Sequence, residues 1–445
     1  MNSKNTCVIY APVDTLSGYG SRSRDTVKSI IELKKDEWDF KIIPCNWGNT
    51  PNGFIEDNPE WHFLNKYLYP QQLTTQPDVM IWITVPNEFQ KVGKYNIGIT
   101  AGLEINMVPA EWIEGMNRMD LTLVSSEHSK KAFLASKFQK VNDTTKQVES
   151  IVEMKTPIEV IFEGVDTNIY KHLEVPNKKI GNLDSISEDF CYLFLGHWLP
   201  GDLGEDRKNV GLLIKAFIET FKNKKVKPAL ILKTSLVGSS YMERDEILKR
   251  IEQIKSTCAT VDMPNIYLLH GEFTDEEINE LYNHPKVKAM VSLTKGEGFG
   301  RPLLEFTQSK KPIITTNFSG HLDFLKPEFT TLINGVLTPV HPSAANNMLL
   351  KEGSWFSPDT GQVGFYLKDM FENYKNYVDG GKRQGFYCKQ NFSFEKMTEK
   401  MSEYLKRIPE FPKQIQLKLP QLRKIELPSL KKIEHKNLEN ITNPK

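Results

Sequence analysis

Two successive series of short apolar runs, each alternating with helix-periodic segments, limit the fold of this 445-residue chain more than any other feature. The first series runs "TCVIYAPV", "FKIIPCN", "DVMIWITV", "YNIGITA", "DLTLVSS" and "IEVIFEGV", with "SRSRDTVKSIIELKK", "PAEWIEGMNRM" and "SEHSKKAFLAS" between them. The second begins at "FCYLFLGHW" and continues through "PALILKTS", "NIYLLHG", "VKAMVSL" and "KPIITTN", again separated by helical stretches. Runs that are apolar throughout suit strands buried on both faces, hence parallel sheets covered by helices. The fold class expected is therefore α/β, with two Rossmann-like doubly wound domains facing across a cleft and an extended C-terminal tail. Such a pair places its ligand in the cleft, at the C-terminal ends of the strands.

The expected boundaries are 1–175 for the first domain and 185–393 for the second. A helix over 394–407 and a basic, Pro-containing tail over 408–445 complete the chain. The polar stretch 139–156 reads as a surface loop. The tail holds a near-repeat, "LPQLRKIE" then "LPSLKKIE", whose prolines exclude a continuous helix. Two readings of it stand: a strap on the protein's own surface, which is favoured, and an arm for an anionic partner.

Charge supports no whole-chain affinity for nucleic acid or membrane, because the formal net charge is +1. Eight Lys/Arg against three Glu give residues 411–445 a charge of +5, so the rest carries −4. Five cysteines are scattered without metal-ligand or redox spacing, which favours a reducing compartment. The N-terminus enters a strand directly, and no apolar run approaches the ~20 residues of a membrane helix. A cytoplasmic location is expected, with a peripheral place at a membrane surface as the variant.

One stretch concentrates chemistry: "KGEGFGRPLLEF", residues 295–306, between a strand and a helix. Gly296, Gly298 and Gly300 let the backbone approach a ligand closely, and Pro302 suits a first helical turn. The amides of Phe299, Gly300 and Leu303 can then face an anion at the helix N-terminus. Glu297 and Glu305 would repel a phosphate, so they are expected to face hydroxyl groups instead. Phosphates flanked by polyols describe a nucleotide-sugar. Cations for the diphosphate are available in Arg207 and Lys208 of "GEDRKNVG" and in Lys233 at a strand end. Each of these, taken alone, could equally be a solvated surface charge.

Other catalytic signatures are missing from the sequence: no phosphate-loop Gly-Lys-Ser/Thr, no His-Glu-x-x-His, no Cys-x-x-Cys, no Asp-x-Asp and no Gly-x-Ser-x-Gly. No metal site or cofactor is therefore expected. "GYGSRS" has Gly18 and Gly20 of a dinucleotide fingerprint, but Ser23 stands where the third glycine belongs.

With these residues in view, the chain resembles the retaining GT-B glycosyltransferases of the GT4 class (glycosyl transferases group 1). "EGFGRPLLE" is similar to their Glu-x7-Glu signature, "IEVIFEGVDTNIY" to their domain-connecting segment, and "LGHWLPGDLGEDRKNVGLLIKAF" to their donor-phosphate turn. The likeness covers about residues 5–407. It implies that Glu305 binds the donor ribose and that Glu297 sits at the sugar. It further implies that Lys208 and Arg207 stabilise the departing diphosphate, and that Gly18 and Gly20 close over the phosphates. Members often carry an arginine at the position of His197 and Trp198, so Arg207 is expected to substitute. Asp323 stands near where members have a glutamate, and that role is not carried over. The resemblance also implies retention at the anomeric carbon without a metal.

The acceptor side belongs to the first domain, where Glu104 could take an acceptor proton or bind a sugar. Ser126 is expected to cap a helix, and His128 to be an exposed helix-start residue. The expected partners are a nucleoside-diphosphate sugar (UDP- or GDP-linked) and a hydroxyl acceptor, whether glycan, lipid-linked saccharide or modified nucleobase in DNA. Two rival readings are a non-catalytic nucleotide-sugar or glycan binder on the same fold, and a dinucleotide oxidoreductase using "GYGSRS".

Overall fold

The computed structural model describes residues 4–412 apart from 72, 143, 178, 237, 239, 260 and 261. The near-repeat of the tail lies outside the described residues. Residues 4–410 form one compact unit, built on two parallel sheets.

The first sheet takes β1 (Asn5–Ala11), β2 (Trp38–Pro44), β3 (Val79–Ile83), β4 (Tyr95–Ile99), β5 (Leu121–Val124) and β8 (Ile158–Val160). They lie in the order β2-β1-β3-β4-β5-β8, every neighbouring pair parallel. All five residues of β3 are buried, as a strand covered on both faces requires. The helices of this half are α1 (Gly18–Lys34), the short α2 (Phe54–Asp57), α3 (Ala110–Met116) and α4 (Glu127–Ala135).

The stretch expected to be a surface loop is instead a hairpin of β6 (Phe138–Val141) and β7 (Val148–Val152), paired antiparallel. It is largely exposed, and neither "FQKV" nor "VESIV" alternates apolar with polar residues, so no period-2 signal marks it in the sequence.

The second sheet takes β9 (Cys191–Leu195), β10 (Ala229–Lys233), β11 (Ile266–Leu269), β12 (Val287–Ser292), β13 (Ile313–Thr316) and β14 (Thr331–Ile333). Its order is β11-β10-β9-β12-β13-β14, again all parallel. Its helices are α5 (Val210–Phe221), α6 (Tyr241–Ser256), α7 (Asp275–Asn283), α8 (Arg301–Thr307), α9 (Thr360–Glu372) and α10 (Lys375–Asn391). A separate hairpin joins β15 (Gly335–Pro339) to β16 (Ser354–Pro358).

Sequence chemistry explains these elements locally. On α5, Val210, Leu213, Ile214, Phe217, Ile218 and Phe221 recur at helical spacing and are all buried against the sheet. Each such side chain contributes about 1.5–3 kcal/mol on burial. Thr274 and Glu277 form a reciprocal capping box at the start of α7.

After α10 the chain returns to the first half as α11 (Phe394–Leu405). The Tyr404 hydroxyl donates to the Val160 carbonyl at 2.7 Å. The Val165 amide donates to the Phe392 carbonyl, and the Val165 carbonyl accepts from the Phe394 amide. Among the described residues, no helix is long and apolar enough to cross a membrane.

Strand order positions the site. In each sheet the winding reverses beside the first strand, between β1 and β3 and between β9 and β12. Loops leaving the C-terminal ends of β9 and β12 therefore diverge from neighbouring strands and leave a crevice. The basic turn Glu205–Asn209 follows β9, and the glycine turn Gly296–Gly300 follows β12.

Candidate active site

Because β9 and β12 are neighbours, residues 89 positions apart meet. Lys208 Nζ donates to Glu297 Oε1 at 2.6 Å. Arg207 Nη1 donates to the Gly296 carbonyl at 2.9 Å and lies 3.5 Å from both Glu297 Oε2 and Glu104 Oε1. Lys208 and Glu297 side chains are 12% and 8% exposed, so this is a nearly dry ion pair. Burial by itself would push the Glu297 carboxyl up. Lys208 first, then Arg207, outweigh it and hold the group down at about 2. The backbone of Glu297 is fixed as well: its amide donates to Ser319 Oγ at 2.8 Å and its carbonyl accepts from Gly320.

Gly300 stands at the N-cap of α8 at φ 96°, in the left-handed region that glycine enters without a Cβ penalty. The Leu303 amide does not face outward as expected; it donates to the Gly300 carbonyl at 3.0 Å, closing the first turn. Phe299 is buried, its ring 5.0 Å from that of Phe324.

Glu305, one turn further, is also buried. Arg301 Nε donates to Glu305 Oε1 at 2.8 Å, while Arg301 Nη1 donates to Asp25 Oδ2 of α1 at 2.6 Å. Burial pushes the Glu305 carboxyl up to about 8; Arg301 opposes the shift, and Asp275 and Asp25 add to it. The two glutamates of one turn thus sit in different fields: Glu297 lies between two cations, and Glu305 shares one cation with Asp25.

The first domain lies directly on the turn. A Cβ on Gly298 would meet Gly102 backbone at 2.7 Å, and one on Gly296 would meet the Glu104 carbonyl at 1.8 Å. Ser125 Oγ donates to the Gly298 carbonyl at 3.1 Å, and the Glu127 amide donates to Asp323 Oδ2 at 2.9 Å.

Comparison with known proteins completes this geometry. Residues 204–351, which hold the basic turn and the glycine turn, match the family model of glycosyl transferases group 1. The whole architecture matches solved structures: Anabaena Alr3699/HepE in complex with UDP and glucose (TM-score 0.59, 12% identity, 90% of this chain and 99% of that one). Sucrose-phosphate synthase from Thermosynechococcus elongatus aligns with TM-score 0.60 at 12% identity, over 91% of this chain and 99% of that one. A glycosyltransferase from Rickettsia africae gives 0.55 at 14% identity, over 91% and 99%. No curated protein matches by sequence.

This is the GT-B fold, and its residues 204–351 match the glycosyl transferases group 1. Within that GT-B frame the donor and catalytic residues singled out from sequence fall into three groups and one separate residue. Glu297, Lys208, Arg207 and Glu104 converge in one cluster spanning both domains. Gly298, Phe299, Gly300, Leu303 and Glu305 form the turn and helix beside it.

Gly18 and Gly20 open α1, where Ser17 Oγ accepts from the Gly20 amide at 2.9 Å. Tyr19 links this turn to the cluster, its hydroxyl accepting from the Ala101 amide at 2.9 Å, one residue before Gly102.

Lys233 stands apart. Its ammonium donates to the Gly271 carbonyl at 2.6 Å and lies over the Phe273 ring, while its carbonyl accepts from Gly196. Burial lowers its pKa.

Ser126 is a helix cap, as expected, accepting from the Ser129 amide at 3.2 Å. His128 is not exposed. It packs edge-on against Phe318 at 4.9 Å and bonds the Ile105 carbonyl, and burial lowers its pKa to about 4. The second domain covers it, which local sequence cannot reveal. Arg301, Asp25, Ser125 and Ser319 join the site without having stood out in the sequence. Only Arg301 carries a signal there, its i,i+4 spacing to Glu305 on a helix. Among the described residues, no three His, Cys, Asp or Glu side chains are gathered as metal ligands.

Proposed function

We propose that the protein transfers a sugar from a UDP- or GDP-linked donor to a hydroxyl acceptor, with retention at the anomeric carbon and without a metal ion. The family match and the GT-B fold support glycosyltransferase activity. The observation that carries the donor assignment is Glu297 and Glu305 on either side of one glycine turn, with Lys208 and Arg207 at the first. Each cation is paired to a carboxylate. A diphosphate entering between them exchanges those partners for phosphate oxygens, and the cations then stabilise the charge that grows on the leaving group.

Glu305 bonds the ribose hydroxyls and Glu297 those of the sugar, in a cleft whose contacting domains exclude water. Glu104, already 3.5 Å from Arg207, is placed to meet the acceptor or the sugar. The acceptor is a glycan, a lipid-linked saccharide or a modified nucleobase. We assign the protein to the cytoplasm, a reading supported by five unpaired cysteines.

The test is a mixed panel of UDP- and GDP-sugars incubated with candidate acceptors, read by mass spectrometry of products. Release of UDP or GDP only when acceptor is present supports the reading. Nucleotide binding without turnover on any acceptor would leave a binding protein, and stabilisation by NAD alone would overturn the donor assignment. Glu305→Ala is expected to abolish turnover with little change in Tm.

A further inference from the structure

Resting on the nucleotide-sugar reading of Glu305, one cation carries a further role. Arg301 is the first residue of α8, and its guanidinium is divided between two domains. Its Nε donates to Glu305 Oε1 at 2.8 Å on its own helix, and its Nη1 donates to Asp25 Oδ2 at 2.6 Å on α1. The Arg301, Glu305 and Asp25 side chains are only 21%, 8% and 16% exposed. The interaction therefore sits where water competes weakly.

A guanidinium held at one nitrogen retains rotational freedom about its side-chain torsions. One held at two nitrogens by two carboxyl groups has its plane fixed, because the fork is rigid. Fixing the fork fixes the carboxyl group bonded to Nε. A carboxyl group offers about four hydrogen-bonding positions, one of them an O–H when it is protonated. With one position taken by Arg301 and one by the neighbouring Tyr282 hydroxyl, Glu305 can still bond two hydroxyls. We propose that Arg301 is a positioning residue that couples closure of the cleft to recognition of the donor ribose. With α1 closed onto α8, Asp25 holds Arg301, and Arg301 holds Glu305 aimed at the ribose. When the domains part, Asp25 leaves, and Glu305 loses its orientation while remaining in place. Asp25 thus acts on the nucleotide without touching it.

The test measures calorimetric affinities of UDP and GDP, and of their 2′,3′-dideoxy counterparts, for the wild type, Arg301→Met, Arg301→Lys and Asp25→Ala. Wild type is expected to prefer the ribonucleotide. Arg301→Met should weaken the ribonucleotide about tenfold, the scale of one charge-assisted hydrogen bond, and the dideoxynucleotide less than about twofold. Asp25→Ala should produce the same selective loss at smaller size, and Arg301→Lys an intermediate one. Should Arg301→Met fail to fold, Asp25→Ala and Arg301→Lys carry the comparison. Equal losses for both nucleotide forms would mean a purely structural ion pair and overturn the coupling, as would an unselective Asp25→Ala. Wild type that binds neither UDP nor GDP would overturn the nucleotide-sugar reading itself, and the coupling with it.

Discussion

Gly102 and Gly298 meet backbone to backbone across the cleft: a Cβ on Gly102 would lie 2.2 Å from the Gly298 carbonyl oxygen. The glycines of the "GEGFG" turn thus admit the backbone of the opposite domain. A Cβ on Gly320 would likewise lie 2.2 Å from the same Gly298 carbonyl oxygen. A turn packed against two other backbones has little room to shift, which suits a site whose donors must be placed before the substrate arrives.

Gly102→Ala is expected to keep both domains folded and to hold them apart. A displacement of about 1 Å at the reacting groups costs on the order of a hundredfold in rate. Turnover should fall by about that factor and Tm should fall with it, because the cross-cleft contacts part, whereas wild-type kinetics would show that this contact is unimportant for catalysis.

Removing the ammonium from the Lys208–Glu297 pair leaves a buried carboxylate with only Arg207 beside it. Lys208→Met should destabilise by about 3 kcal/mol, the scale of breaking a buried pair, and also abolish transfer. Chemical denaturation measures the first effect. Glu297→Gln combined with Lys208→Met should recover part of the lost stability without recovering activity, since the carboxylate that lost its partner is then neutral.

The two glutamates predict opposite pH limbs. Glu297 is held at about 2, below its ordinary value, so its contribution is present above about pH 4.5 and is lost as pH falls toward 2. Glu305 is raised to about 8, so the folded form binds a proton that the unfolded chain releases. Its contribution is present below about pH 4.5 and is lost as pH rises toward 8. Urea midpoints from pH 3 to 9 should lose the acid-side slope in Glu297→Gln and flatten between about 4.5 and 8 in Glu305→Gln. Unchanged slopes in both variants would refute these two charge states.

Asp323 caps α4 from the other domain through the Glu127 amide. Loss of one such cap costs about 1 kcal/mol, so Asp323→Ala should lower Tm by roughly 2 °C. Because the cap spans the cleft, the same variant should raise the donor KM, and calorimetry with enzyme assays separates the two effects.

Much of the fold is legible in the residues alone. Continuous apolar runs such as "MIWI" suit only strands covered on both faces, and their alternation with α5-like periodicity requires parallel sheets. Glu297, Glu305, Lys208 and Arg207 stand out by their chemistry at strand ends, and three of the four do cluster because β9 and β12 are neighbours. His128 defeats a local reading, since a polar residue in the first turn of a helix normally faces solvent and only the second domain covers it. The Leu303 amide does so too, because the left-handed Gly300 tightens the turn and captures it. Hairpin β6–β7 reads as loop because its pairing is its only organised feature.

Sequence by itself determined the two sheets, the strand-to-helix turns and the carboxylates, glycines and cations that stand at them. These depend on periodicity and on residue type, which are local properties. Tertiary structure alone decided which charges are partners: Arg207 with Glu104, Asp323 with the start of α4, and Arg301 with Asp25, 276 residues away. Those pairs form because closure of one domain on the other removes them from water, and the strength of a charge pair depends on that burial rather than on neighbours along the chain.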